Sequence, residues 1–222
     1  MIELVIFDMD GLMFDTEIVS YKGWKYAIEK LGYDFSMEIF INTLGVGEAE
    51  IGDYFRSIYS SDFPYEEILK ERISKMHSII EEDGLIEKEG LRDVLSFLGV
   101  KKIKRAVATS SSKERAHSLL TKAGIINLFD YIICGDEVVK SKPDPFIFAK
   151  VAKELGCDAD KVVVLEDSEY GVLAASRAGM LPIVIPDMKE PKDEILKLAY
   201  SRAKNLRDAI SIIENIKTEE VL

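Results

Sequence analysis

The segment Glu3-Leu4-Val5-Ile6-Phe7-Asp8-Met9-Asp10-Gly11 constrains this chain more than any other, because an uninterrupted apolar run stops at two aspartates and a glycine. A short apolar run bounded by a turn signal reads as a strand buried on both faces of a parallel sheet. Side chains alternate along a strand, so Asp8 and Asp10 can point the same way just past its end. In open α/β sheets, ligands bind at the carboxyl ends of the strands. Two carboxylates crowded there repel, and a divalent cation such as Mg²⁺ relieves the repulsion with oxygen ligands. A D-x-D alone is also what an ordinary acidic turn looks like, so the rest of the chain has to decide.

Four later apolar runs repeat the pattern. Arg105-Ala106-Val107-Ala108 ends in Thr109-Ser110-Ser111-Ser112, and Tyr131-Ile132-Ile133-Cys134 ends in Gly135-Asp136. Lys161-Val162-Val163-Val164-Leu165 ends in Glu166-Asp167, and Leu181-Pro182-Ile183-Val184-Ile185 ends in Pro186-Asp187. Helical patterns over residues 112–123, 146–155 and 168–178 lie between them, the first opening on Ser111-x-x-Glu114, a capping-box spacing. This alternation predicts an α/β fold, a doubly wound parallel sheet. Residues from about 15 to 84 break it: apolar residues recur at helical spacing over 16–31 and 66–80, with Gly45, Gly47 and Gly52 between. A helical block is therefore expected after the first strand, with the sheet resuming near Gly90.

At 222 residues the chain suits a core plus an insertion, and 47% hydrophobic residues suffice for a sizeable core. A net charge of −11 with no basic stripe argues against nucleic acid as a partner. No apolar stretch approaches the roughly 18–20 residues of a membrane span, and no basic segment precedes the first run as in a signal peptide. Cys134 and Cys157 form no metal-type pair, so a cytoplasmic protein is expected, with Cys134 in the core. His77 and His117 lie away from the strand ends and read as packing or surface residues.

If the strand ends share one rim, Asp8, Asp10, Thr109, Ser110, Glu166, Asp167 and the Lys142 loop meet there. Carboxylates could hold a cation, while the Thr109 hydroxyl, helix-start amides and the Lys142 ammonium could bind phosphate oxygens. Phosphoryl transfer is mainly a problem of positioning and charge stabilisation, which these parts address. Singly, each has a plainer reading: Thr109 as a strand end, Lys142 as a surface lysine, Glu166-Asp167 as a helix cap, and Ser111 and Ser112 as capping residues only.

Jointly, F-D-M-D-G, A-T-S-S, the lysine of S-K-P-D-P and L-E-D-S-x-x-G resemble, in order, the four motifs of the haloacid dehalogenase superfamily. The likeness covers essentially the whole chain and is nearest to the subgroup with a helical cap after the first strand, which contains β-phosphoglucomutase and many sugar-phosphate phosphatases. It implies a Rossmann-like core over residues 1–14 and 85–222 and a cap over 15–84. By resemblance, Asp8 is the nucleophile that becomes an aspartyl-phosphate and Asp10 is the acid and then the base. Thr109, Ser110 and Lys142 hold the phosphoryl group, and Asp8, Asp10 (through its carbonyl), Glu166 and Asp167 hold Mg²⁺. Asp10 separates the chain from true dehalogenases, which lack that acid. Ser20 and Glu48 stand where β-phosphoglucomutase has a cap histidine and arginine, so hydrolysis is favoured over mutase action, and Lys75 matches a cap lysine. The expectation is a monomeric Mg²⁺-dependent phosphatase of a small phosphorylated metabolite, a sugar phosphate. A phospho-accepting receiver module is the reading from another class; a cap that encloses a small substrate argues against it.

Overall fold

The computed structural model describes residues 1–44 and 48–216, with the side chains of residues 48 and 49 outside the description. The chain divides into two compact units, Met1–Phe14 with Glu87–Leu222, and Asp15–Ile86.

In the first unit six parallel strands form one sheet in the order β3-β2-β1-β4-β5-β6. They are β1 (Leu4–Phe7), β2 (Lys104–Ala108), β3 (Tyr131–Ile133), β4 (Val162–Glu166), β5 (Leu181–Val184) and β6 (Ser201–Arg202). Leu4 of β1 stands opposite Lys104 on one side and Val162 on the other, so the first strand is central. Its four residues are fully buried, which explains why the run carries no polar alternation. On one face Leu4, Ile6, Ala106, Ala108, Val162 and Val164 pack with Ile147, Phe148 and Val151 of one helix (Phe146–Leu155) and Ala174 and Ala175 of another (Glu169–Arg177). The intervening Val5, Phe7, Val107, Val163 and Leu165 are equally buried on the other face. Each such large side chain contributes about 1.5–3 kcal/mol by leaving water.

Two elements differ from the sequence reading. The sheet does not resume near Gly90: Leu91–Lys101 is a helix whose Leu91, Val94, Leu95 and Leu98 form one buried face, and β2 starts only at Lys104. The edge strand β6 was not expected, since Ser201-Arg202 has no apolar run to announce it. Cys134 is buried, and burial pushes its thiol up to about 12.

The second unit contains α1 (Thr16–Glu29), α2 (Met37–Ile41), α3 (Glu48–Ile58) and α4 (Tyr65–Glu82). α1 packs along α4 because Gly23 presents no side chain: a β-carbon there would come within 2.8 Å of Met76 Cγ. Trp24 then meets Phe55 edge-to-face at 5.0 Å, anchoring an aromatic core. No helix among the described residues is long and apolar enough to cross a membrane.

Candidate active site

The site is built at the carboxyl ends of the central strands, where the chain order reverses between β1 and β4. Asp8 follows β1 directly, its amide donating to Leu165 O of β4 at 3.0 Å. Beyond it the chain turns sharply, with Gly11 at φ +80°, a left-handed conformation that favours glycine. A β-carbon at residue 11 would also run into the carboxylate of Asp167, so this glycine lets the turn and the end of β4 come together.

Lys142 ties the two strand ends. Its Nζ donates to Asp8 Oδ1 and to Glu166 Oε1, each at 2.5 Å, and its side chain is only 5% exposed. The ammonium also lies 4.9 Å from the centre of the Phe148 ring. Burial works against the Lys142 charge, yet the Asp8 and Glu166 carboxylates outweigh it and hold its pKa above the ordinary lysine value. At Asp8 burial wins instead: it pushes the carboxyl up to about 7, against the opposing pull of Lys142.

Glu166 is fully buried and satisfied at both oxygens. Oε1 takes Lys142, while Oε2 accepts from the amide and the hydroxyl of Ser168, each at 2.9 Å. Ser168 Oγ in turn caps the Glu169–Arg177 helix by accepting from Gly171 N at 3.1 Å. A β-carbon at Gly171 would overlap the Glu166 carboxylate. The four named residues after the leucine in L-E-D-S-x-x-G thus each have a physical reason: an acid, a second acid, a cap and a space.

Oxygens of Asp8, Glu166 and Asp167 lie within 4.8 Å of one another. Hard carboxylate oxygens at that spacing suit Mg²⁺ rather than a softer metal. The Asp10 carboxylate is directed elsewhere. Its Oδ1 accepts from Arg115 Nη2 at 2.8 Å and its Oδ2 from Ser111 Oγ at 2.7 Å. Thr109 is buried, with Oγ1 accepting from Ser111 N at 3.0 Å, and Ser110 is exposed on the same loop.

The serine run sorts differently from the sequence reading. The helix Lys113–Lys122 is capped by Ser112, whose Oγ accepts from Arg115 N, and not by Ser111. Ser111 reaches Asp10 instead, and Arg115 joins it there. The sequence marks Ser111 only as a cap and Arg115 not at all, because three successive serines look alike and an arginine on a polar helix gives no periodic signal. In the second unit Ser20 Oγ accepts from Arg72 Nη2 at 2.8 Å, and Lys75 Nζ lies 5.3 Å from the centre of the Tyr26 ring. The side chain of Glu48 lies outside the described residues, as do residues 45–47.

A family model described as haloacid dehalogenase-like hydrolase matches residues 5–185. Over 179 residues the chain is 34% identical to a phosphorylated carbohydrates phosphatase of Thermotoga maritima, covering 80% of this chain and 82% of that protein. It is 29% identical over 177 residues to the fructose-1-phosphate phosphatase YqaB of Escherichia coli, covering 79% and 92%. The crystal structure of β-phosphoglucomutase from Clostridium difficile superposes with a TM-score of 0.73 at 25% identity, covering 93% and 92%.

Proposed function

This chain belongs to the haloacid dehalogenase-like hydrolases and is a phosphatase of that family, and we propose that it hydrolyses a small sugar phosphate through a phosphoryl group carried on Asp8. The observation that carries the reading is the Lys142 ammonium set between Asp8 and Glu166, two carboxylates that group with that of Asp167. A lysine buried against two acids is costly to assemble and weak evidence for stability. It suits a site where negative charge arrives with the substrate and must be compensated.

In this reading an Asp8 carboxylate oxygen attacks phosphorus, the ester P–O bond breaks, and Asp10 gives its proton to the departing alcohol oxygen. Asp10, now ionised, takes a proton from water as that water attacks the acyl-phosphate, releasing phosphate and restoring Asp8. Lys142 balances the charge at Asp8 throughout. Thr109 and Ser110 supply hydroxyls to the phosphoryl oxygens. Asp8 and Asp167, with Glu166 beside them, would hold Mg²⁺; when bound, it supplies further charge neutralisation at the phosphoryl group. Glu166, already engaged by Lys142 and Ser168, is as much the support of the lysine as a ligand. By its likeness to the family members with a helical cap after the first strand, the Asp15–Ile86 unit would select the substrate, with Ser20, Lys75 and Glu48 as the residues to vary.

The test is phosphate release by purified protein from a panel of phosphorylated sugars with Mg²⁺, ranked by kcat/KM, with Asp8→Asn as control. Hydrolysis confined to the unaltered protein supports the proposal, and no release from any ester overturns it.

A further inference from the structure

We propose that Arg115 is a positioning residue which, with Ser111, fixes the Asp10 carboxylate for proton transfer; the inference rests on the acid–base role given to Asp10 above. The backbone of Asp10 is already set by its turn. Gly11 N donates to Phe14 O at 3.1 Å, and Met13 N and Phe14 N donate to Met9 O at 2.9 and 3.3 Å. Only the two side-chain torsions of Asp10 remain to be chosen. Arg115 Nη2 donates to Oδ1 and Ser111 Oγ to Oδ2 while Asp10 is ionised; a hydroxyl also accepts, so Ser111 keeps its hold when Oδ2 carries the proton, and the two partners fix both torsions in either state.

The clamp stands on an anchored base. Ser111 O accepts from Gly135 N at 2.8 Å, Ser112 caps the helix, and Lys113 N donates to both Asp136 oxygens at 3.0 and 3.1 Å. Arg115 and Asp10 side chains are each 24% exposed, so the pair is partly withdrawn from solvent screening. A general acid works only within hydrogen-bond reach of the atom it protonates, so a carboxylate left to rotate loses part of its contribution. Arg115 acts here through Asp10, not on the substrate.

Leaving groups give the discriminating readout. An alkoxide departs poorly without a proton, whereas p-nitrophenolate departs without help, and kcat/KM reports the steps through loss of the leaving group. For Arg115→Met, kcat/KM toward fructose 1-phosphate is expected to fall about 10–100-fold, and toward p-nitrophenyl phosphate less than about threefold. Arg115→Lys should recover part of the loss. Adding Arg115→Met to Asp10→Asn should cost nothing further, as expected for two residues serving one function. Ser111→Ala should show the same ester bias at smaller size, and it decides the matter if Arg115→Met does not fold. Equal losses on both esters, no loss on either, or an additive loss in the Asp10→Asn background would overturn the inference while leaving the phosphatase reading intact. If the panel ranks another sugar phosphate above fructose 1-phosphate, that ester takes its place in the comparison; an unaltered protein inert toward p-nitrophenyl phosphate and every ester of the panel would overturn both.

Discussion

Gly171 lies so close to the carboxylate of Glu166 that a β-carbon at residue 171 would overlap it. The glycine sits inside a helix, where alanine is normally favoured by about 1 kcal/mol. Overlap with a buried charged group that has Lys142 and Ser168 on its two oxygens costs more, of the order of 1–3 kcal/mol. Gly171→Ala should therefore lower the melting temperature and reduce turnover together, because displacing Glu166 also displaces Lys142. Thermal unfolding and phosphate release measured on the same sample check this; a more stable, fully active variant would refute the packing argument.

Asp8→Asn should abolish turnover and leave the fold in place. The amide keeps the shape of the side chain but cannot form an acyl-phosphate, and Lys142 keeps Glu166 as a partner. Acid-quenched protein should carry radiolabelled phosphoryl in the unaltered chain and none in the variant. Normal turnover by Asp8→Asn would end the covalent mechanism.

Lys142→Met should cost stability as well as activity. It strands Asp8 and Glu166, two buried carboxylates, without their shared cation, and breaking a buried pair costs about 3–5 kcal/mol. Denaturant unfolding measures the loss. A change below 1 kcal/mol would mean that proton uptake at Asp8, which burial already favours, relieves the stranded charge.

Chelation should remove activity and Mg²⁺ should restore it, with Asp167→Ala raising the Mg²⁺ concentration needed for half-maximal rate. The Gly11 turn and Asp167 are in direct apposition, so Gly11→Ala should shift the same midpoint. Full activity in excess chelator would take the metal out of the mechanism.

Water, rather than a second sugar hydroxyl, should receive the phosphoryl group. Given β-glucose 1-phosphate and a bisphosphate primer, the protein should release phosphate from its preferred ester faster than it forms glucose 6-phosphate. Faster isomerisation would make it a mutase, a class that its likeness to β-phosphoglucomutase keeps in view. Ser20, hydrogen-bonded to Arg72, is the residue by which to probe the difference.

The fold class was legible because parallel strands buried on both faces leave uninterrupted apolar runs, and β1 and β4 are such runs. The edge strand β6 was not, since two residues at a sheet margin bury too little to impose a pattern. The helix Leu91–Lys101 carried its periodicity in plain view but followed a glycine that looked like the end of the insertion. In the site, carboxylates and a lysine at strand ends stand out against apolar neighbours. The roles of Ser111 and Arg115 depend on the angle at which a loop leaves β2, and no residue spacing encodes that angle.

The central place of β1 has a consequence for how the chain is made. Asp8 and Lys142 are separated by 134 positions, and β1 pairs on one edge with β2 and on the other with β4. A growing chain therefore completes its most apolar strand long before either neighbour has been translated. Until Val162 and its followers emerge, β1 keeps a bare edge, a surface that invites pairing with other chains and on which holding chaperones act. No amino-terminal fragment that stops short of β4 can assemble the charged centre, so the appearance of phosphatase activity during synthesis would mark the closing of the sheet.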